Sequence, residues 1–372
     1  MTTQARAAIC RGHDEPFTIE EVELADLRPD ELLVRIVACG ICHTDLAVRD
    51  EQLPVPLPIV LGHEGAGIVE AVGGAVSVAK PGDRVVMSFN SCGDCPSCAH
   101  QAPTYCYNFF PHNWSGRRAD GSPSMTSGGQ PMNANFFGQS AFATHAIAHE
   151  RNVARVPDSA AAVPLERLAP IGCGLMTGAG AVLRSMKVRA GLPVAVFGTG
   201  TVGMAAIMAA RIAGANPIIA VDVNDARLAL ALKLGATHAF SAKDDAPGKI
   251  RELCPAGLGY ALDTTGINSV IEQAWGLLAP KGIAGIVGAS NPADELHFNE
   301  AQFMGGGRTV MGILGGDSDV GPFLCELIEH HLAGRFPYER LIETFPFERI
   351  NEAIAASESG KVVKPVLVMS VE

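Results

Sequence analysis

The sequence predicts an α/β protein: a doubly wound parallel sheet joined to a second, mostly antiparallel, barrel-like β domain. Three observations carry this. From about residue 191 apolar β runs alternate with Ala- and Leu-rich helical stretches, whereas residues 1 to about 155 alternate short β runs with turn signals. At 372 residues the chain exceeds one ordinary core and suits domains of about 100–200 residues each.

In the first part, Glu31-Leu-Leu-Val-Arg-Ile-Val-Ala, Gly67-Ile-Val-Glu-Ala-Val and Asp83-Arg-Val-Val-Met read as strands, with Pro81-Gly82-Asp83 as a turn. Between Tyr107 and Gln139 the composition shifts to Gly, Ser, Pro, Asn and aromatics, which suits a functional loop better than a plain connector. In the second part, strands are expected at 194–197, 218–221, 260–262, 283–287 and 309–313. Helices at 321–331 and 347–356 and a last β run from Lys364 follow, so the tail is expected to rejoin the first domain. The expected boundaries are 1–174, 175–312 and 313–372, with a cysteine lobe at about 90–110.

A formal net charge of −11 without blocks of like charge argues against nucleic acid or an anionic membrane as partner and for a small-molecule protein. The N-terminal segment lacks a signal-type apolar core, so a cytoplasmic location is expected, where ten cysteines mean metal before disulfide. The uncharged stretch 191–210 is broken by Gly198, Gly200 and Gly203 as strand, turn and helix would be, not as a membrane span.

Cys92, Cys95, Cys98 and Cys106 have two, two and seven residues between them. Four thiolates this close can surround a tetrahedral zinc and leave no position open, which makes a structural site. Cys42, His63 and Cys173 form a differently built set. Two cysteines and one histidine is the ligand count of a catalytic zinc, which keeps its fourth position for water or substrate. Asp45 and Glu64 lie beside the set to orient imidazole and balance charge. Cys10, Cys39, Cys254 and Cys325 lack partners at ligand spacing and read as structural thiols.

Val194-Ala-Val-Phe-Gly198-Thr-Gly200-Thr201-Val202-Gly203 puts a G-x-G-x-x-G pattern between a strand and a helix. Gly198 permits the tight turn, Gly200 lets backbone N–H groups approach a pyrophosphate, and Gly203 lets helix pack on strand. Asp222 closes the next strand, where a carboxylate accepts the adenosine ribose hydroxyls and repels a 2′-phosphate. The dinucleotide is therefore expected to be NAD rather than NADP.

Taken in order, Cys-His-Thr-Asp at 42–45, Gly-His-Glu at 62–64, the four-cysteine run, Gly-Cys-Gly at 172–174 and the glycine motif at 198–203 resemble the zinc-dependent, medium-chain alcohol dehydrogenase family across essentially the whole chain. The resemblance implies a GroES-like catalytic domain plus a Rossmann domain, two zinc ions per chain, one catalytic and one structural, and a homodimer or homotetramer. It implies that Cys42, His63 and Cys173 hold the catalytic zinc, that Glu64 can visit the metal, that Asp45 supports His63, and that Thr44 touches the substrate oxygen. It further implies dinucleotide contacts from His43, Thr201, Val202, Thr264, Val287 and Gly288, with Arg227 near the adenosine ribose and Lys364 near the pyrophosphate.

One departure is informative. Where many members carry a histidine that passes the substrate proton to solvent, this chain has Ala47. In that respect it resembles the benzyl (aryl) alcohol dehydrogenase branch, which implies reversible oxidation of a benzyl-type or allylic primary alcohol to its aldehyde. Thr44 is then expected to pass the proton through the nicotinamide ribose to water. Phe109, Phe110, Trp114, Phe136 and Phe137 flank or lie in the long loop and Leu53 lies near Cys42; Leu53, Phe110 and Phe137 are the residues expected to wall the pocket. An aliphatic or glutathione-adduct alcohol dehydrogenase and a non-enzymatic zinc- and NAD-binding redox sensor remain as alternatives.

Overall fold

A computed structural model describes residues 3–13, 15–288 and 294–369. The chain divides into two compact units: Met1–Cys173 with Asp319–Leu332 and Glu339–Glu372, and Gly174–Ser318 with Ala333–Tyr338. Among the described residues no helix is long and apolar enough to cross a membrane.

The first unit holds two β-sheets. In the five-stranded sheet the order is Ile59–Val60, Thr3–Cys10, Thr18–Leu24, Met125–Ser127 and Gln130–Met132. In the seven-stranded sheet it is Val153–Arg155, Arg84–Met87, Glu64–Val72, Glu31–Gly40, Lys364–Val368 and Ile342–Pro346, with His145–His149 also paired to Glu31–Gly40. Neighbours are antiparallel except Ile342–Pro346 beside Lys364–Val368.

Leu32, Val34 and Ile36 are buried and alternate with partly exposed Leu33, Arg35 and Val37, as a strand with one face on the core requires. They pack with Phe136, Phe142, Leu61 and Leu367, and burying side chains of this size stabilises by about 1.5–3 kcal/mol each. Register then places chemistry. Gly40 lies opposite Glu64 on one side and Val366 on the other, so the segments carrying Cys42, His63 and Lys364 leave the sheet at one place.

The second unit is a six-stranded parallel sheet. Its order is His238–Ser241, Ile218–Asp222, Val194–Phe197, Leu258–Asp263, Leu278–Ile286 and Thr309–Gly312. Counted along the chain this is the 3-2-1-4-5-6 order of a dinucleotide-binding sheet, whose ligand crevice lies where strands 1 and 4 diverge. The strand His238–Ser241 was not expected from sequence. It is short, partly exposed and polar at both ends, so it lacks an apolar run.

Candidate active site

The helix His43–Arg49 begins at Cys42, and its third residue, Asp45, reaches back to accept a hydrogen bond from the Cys42 N–H (3.0 Å). The same fully buried carboxylate accepts from Gly62 N–H (3.1 Å) and His63 Nδ1 (3.0 Å). With Nδ1 committed to Asp45, the imidazole presents Nε2 as its free lone pair. Nε2 lies 3.2 Å from Cys173 Sγ, which lies 3.9 Å from Cys42 Sγ.

Donor atoms of Cys42, His63, Glu64 and Cys173 all fall within 4.8 Å of one another. A tetrahedral zinc with Zn–S bonds near 2.3 Å separates its sulfurs by about 3.8 Å. Two sulfurs 3.9 Å apart and an oriented imidazole fit that ion. The Cys42 thiol is held well below its ordinary value by its hydrogen bond with Cys173, whose own thiol is pushed well up by that bond and by burial.

Glu64 is fully buried, and both its oxygens lie 2.9 Å from Lys364 Nζ, which also donates to the Ile41 carbonyl (2.9 Å). Burial pushes the Glu64 carboxyl up to about 7, with Lys364 pulling against it. Desolvation acts to lower Lys364, but Glu64 and the Cys42 sulfur outweigh it and keep the amine protonated. Lys364 is 2% exposed and its ammonium is held by Glu64 and Ile41, because the strand register seats position 364 beside Glu64.

Above the imidazole sits an aromatic group. Phe137 stacks on His63 with centroids 4.6 Å apart and planes 24° apart, Phe136 meets both edge-on, and Phe109 bridges Phe137 to Trp114. Leu53, Trp114 and Phe137 are each partly buried against the same core. Phe110 stands outside this stacked group. It is 48% exposed, since consecutive residues of the helix Phe109–Asn113 point about 100° apart, and the inward place is taken by Phe109. Thr44 Oγ1 lies 3.6 Å from Cys42 Sγ, Ala47 is buried, and His43 is exposed.

The four-cysteine run folds as a small lobe with the helix Pro96–Ala99 and a turn at Pro103–Tyr105. The sulfur of Cys92 lies 3.9 Å from that of Cys98, the spacing of a tetrahedral tetrathiolate, and 3.4 Å from that of Cys106, somewhat closer. Backbone N–H groups of Cys92, Cys95 and Tyr107 point at the Cys106, Cys92 and Cys95 sulfurs. The Cys95 thiol is lowered to about 6, first by the Cys98 backbone. All ten cysteines are free of disulfides, and Cys10, Cys39, Cys254 and Cys325 lie outside both clusters.

In the second unit the glycine motif caps the strand Val194–Phe197 and opens the helix Thr201–Ile212. Gly198 has φ of +88°, and a Cβ there would press on Thr264. A Cβ on Gly203 would collide with the Gly198 carbonyl, whereas one on Gly200 would meet only open space at the helix N-terminus, where a pyrophosphate fits. The Thr264 hydroxyl donates to Phe197 and Gly198 carbonyls and so clamps the turn. Asp222 is buried and accepts from Thr199 N–H and Thr199 Oγ1 on Oδ2 and from Asn224 N–H on Oδ1, which leaves a lone pair of Oδ1 for a hydroxyl donor. Arg227 Nε is buried without a hydrogen-bond partner. Val287 and Gly288 turn back on the Asp263 carbonyl at the end of the neighbouring strand.

Sequence reasoning missed the pairing of Lys364 with Glu64, and it missed two buried polar residues, Ser88 and Gln139. Gln139 Nε2 donates to the His63 and Ser88 carbonyls, both at 2.9 Å, and its Oε1 accepts from Gly65 N–H (3.1 Å). Ser88 Oγ donates to the Gly172 carbonyl (2.5 Å). A single Gln and a single Ser in loops carry no spacing signal that could have flagged them.

Comparison with known proteins agrees with this arrangement. The family described as zinc-binding dehydrogenase matches residues 201–329, and the alcohol dehydrogenase GroES-like domain matches residues 28–158. Geraniol dehydrogenase of Castellaniella defragrans is 44% identical over 367 residues, covering 98% of this chain and 97% of that protein. Among solved structures, an alcohol dehydrogenase zinc-binding domain protein from Burkholderia ambifaria is 48% identical with a TM-score of 0.97, covering the whole of both chains. Benzyl alcohol dehydrogenase from Acinetobacter calcoaceticus is 38% identical with a TM-score of 0.95, covering 99% of this chain and all of that one.

Proposed function

This chain belongs to the zinc-binding, medium-chain alcohol dehydrogenase family, with zinc and a nicotinamide dinucleotide as cofactors, and we propose that within it the protein oxidises allylic and benzyl-type primary alcohols reversibly to aldehydes, using NAD. The observation that carries the substrate class is the aromatic wall on the metal-ligand imidazole: Phe137 stacked on His63 and backed by Phe136, Phe109 and Trp114. A flat, unsaturated substituent gains dispersion and ring-edge contact there that a short aliphatic chain does not. Likeness to a geraniol dehydrogenase and to a benzyl alcohol dehydrogenase supports the same reading.

Bound by Cys42, His63 and Cys173, zinc supplies the Lewis acidity that makes a hydroxyl acidic, and the dinucleotide supplies the hydride acceptor. The chain's own residues do the rest. Asp45 fixes the imidazole tautomer and ties the Cys42 and His63 segments together. Thr44, on the first turn of the same helix, is the hydroxyl that takes the substrate proton and passes it on. Ala47 offers no titratable group, so the relay runs through Thr44 without a protein histidine at that place. Phe137 and Phe136 shield the imidazole face from water, which strengthens the electrostatics of the site.

Preference for NAD rests on Asp222, whose charge would repel a 2′-phosphate. The test is a panel of geraniol, benzyl alcohol, ethanol and S-hydroxymethylglutathione followed by NADH absorbance. The proposal expects the first two to lead in kcat/KM by at least tenfold. Leadership by ethanol or the glutathione adduct would replace it with an aliphatic or formaldehyde-oxidising enzyme.

A further inference from the structure

The side chains that hold the three ligand-bearing segments together are not all acidic or close to the ligand atoms. Asp45 joins two of them, binding the Cys42 N–H, the Gly62 N–H and His63 Nδ1. The third, which ends in Cys173, is reached from Ser88, whose hydroxyl donates to the Gly172 carbonyl. Gln139 closes the frame. Its amide brackets the peptide around Glu64, donating to the His63 carbonyl and accepting from Gly65 N–H, and its second N–H donates to the Ser88 carbonyl.

Both N–H groups and the oxygen of the amide are therefore engaged with backbone, two of the three bonds at or beside metal ligands, and its 2% exposure leaves it no access to a substrate. The loop that carries Gln139 is locked by more than this side chain. Asn135, Phe137 and Ser140 hold left-handed φ values of 72°, 51° and 53°. Strain of this kind persists only where neighbours impose it. Here Ser140 Oγ accepts from Phe136 N–H and donates to the Val60 carbonyl, and Asn152 Nδ2 donates to the Phe137 and Gly138 carbonyls. One loop thus stacks a ring on the imidazole face of His63 and braces its backbone from behind.

We infer that Gln139, acting with Ser88, is a positioning residue for the catalytic zinc: it sets the separation of the His63 and Cys173 segments and so the metal's retention at that site. The inference rests on the reading that Cys42, His63 and Cys173 hold that zinc. Outer-shell partners of metal ligands typically govern metal affinity by about 10–100-fold, and Gln139→Met removes three such bonds at nearly constant side-chain length.

The test follows zinc release from the two-zinc protein to 4-(2-pyridylazo)resorcinol, for wild type, Gln139→Met, Ser88→Ala and Cys42→Ser. A cobalt-substituted sample of each reports ligand geometry through its visible absorption. Gln139→Met is expected to release one zinc about 10–100-fold faster, with the second zinc leaving at the wild-type rate and the cobalt bands shifted. Ser88→Ala, a smaller change that keeps the falsifying arm if Gln139→Met fails to fold, shifts the same zinc in the same direction. Wild-type release and unshifted bands in both variants overturn the inference, as does equal acceleration of both zinc ions, which marks general loosening. Cys42→Ser separates the two levels: it should hold one zinc, and if it holds two the ligand assignment itself is wrong.

Discussion

Removing Lys364 tests how the site tolerates its buried acid. In Lys364→Met the Glu64 carboxylate loses both 2.9 Å contacts to the amine, and the Ile41 carbonyl loses its donor, at positions only 0% and 2% exposed for Glu64 and Lys364. Breaking an exposed pair would cost about 0–1 kcal/mol, whereas stranding one partner of a buried pair costs about 3–5 kcal/mol. Burial on this scale puts Lys364→Met in the second class at a pH where Glu64 stays ionised; since burial already pushes that carboxyl up to about 7 with Lys364 pulling it down, the variant's Glu64 can take a proton instead, and the loss grows as pH rises. Since whole-protein stability is about 5–15 kcal/mol, the loss is readily visible in urea unfolding of the zinc-loaded protein. Adding Glu64→Gln removes the stranded charge, so the double variant should recover at least half of what the single variant lost. At a pH where Glu64 stays ionised, a loss below about 1 kcal/mol, or no recovery in the double variant, would refute the view of Lys364 as counter-ion to Glu64.

Three further outcomes follow from the same geometry. Asp222→Gly should lower the NAD to NADP ratio of kcat/KM by about tenfold or more, the worth of one charge-assisted hydrogen bond near 1.4 kcal/mol; steady-state kinetics with both dinucleotides check it, and an unmoved ratio would remove Asp222 from the ribose site. Phe137→Leu should cost benzyl alcohol about 2–10-fold in kcat/KM, from ring contacts worth about 0.5–1.5 kcal/mol, while ethanol changes little; equal loss for both would deny the ring a part in selectivity. Ala47→His should add a titrating group with an ordinary pKa near 6.5 and so a new limb to the pH profile of turnover; an unaltered profile would take position 47 out of the proton route.

What was legible in the sequence was whatever short-range spacing could encode. The cysteines at 92, 95, 98 and 106 converge because they are close along the chain, and the glycine motif carries its turn within six residues, 198–203. Cys42, His63 and Cys173 lie far apart in sequence, and were found only because each sits in a recognisable tripeptide or tetrapeptide that resembles one family. The edge strand His238–Ser241 escaped because it has no apolar face of its own. The pairing of Lys364 with Glu64 was illegible for a related reason: it is set by the register of a strand more than three hundred residues downstream of its partner strand's start, and register leaves no local trace. The inward and outward choice between Phe109 and Phe110 depends on a helix of five residues, too short to show a period.

On the proposed reading, Cys42, His63 and Cys173 hold the zinc on which alcohol oxidation depends, apart from a second zinc held by the cysteine lobe. Elemental analysis of wild type and Cys42→Ser, paired with alcohol-dependent NADH formation, distinguishes the two metals. The expected result is two zinc ions per chain with activity for the wild type, and one zinc ion per chain with none for Cys42→Ser. A Cys42→Ser protein that kept both zinc ions, or kept its turnover with one, would contradict it.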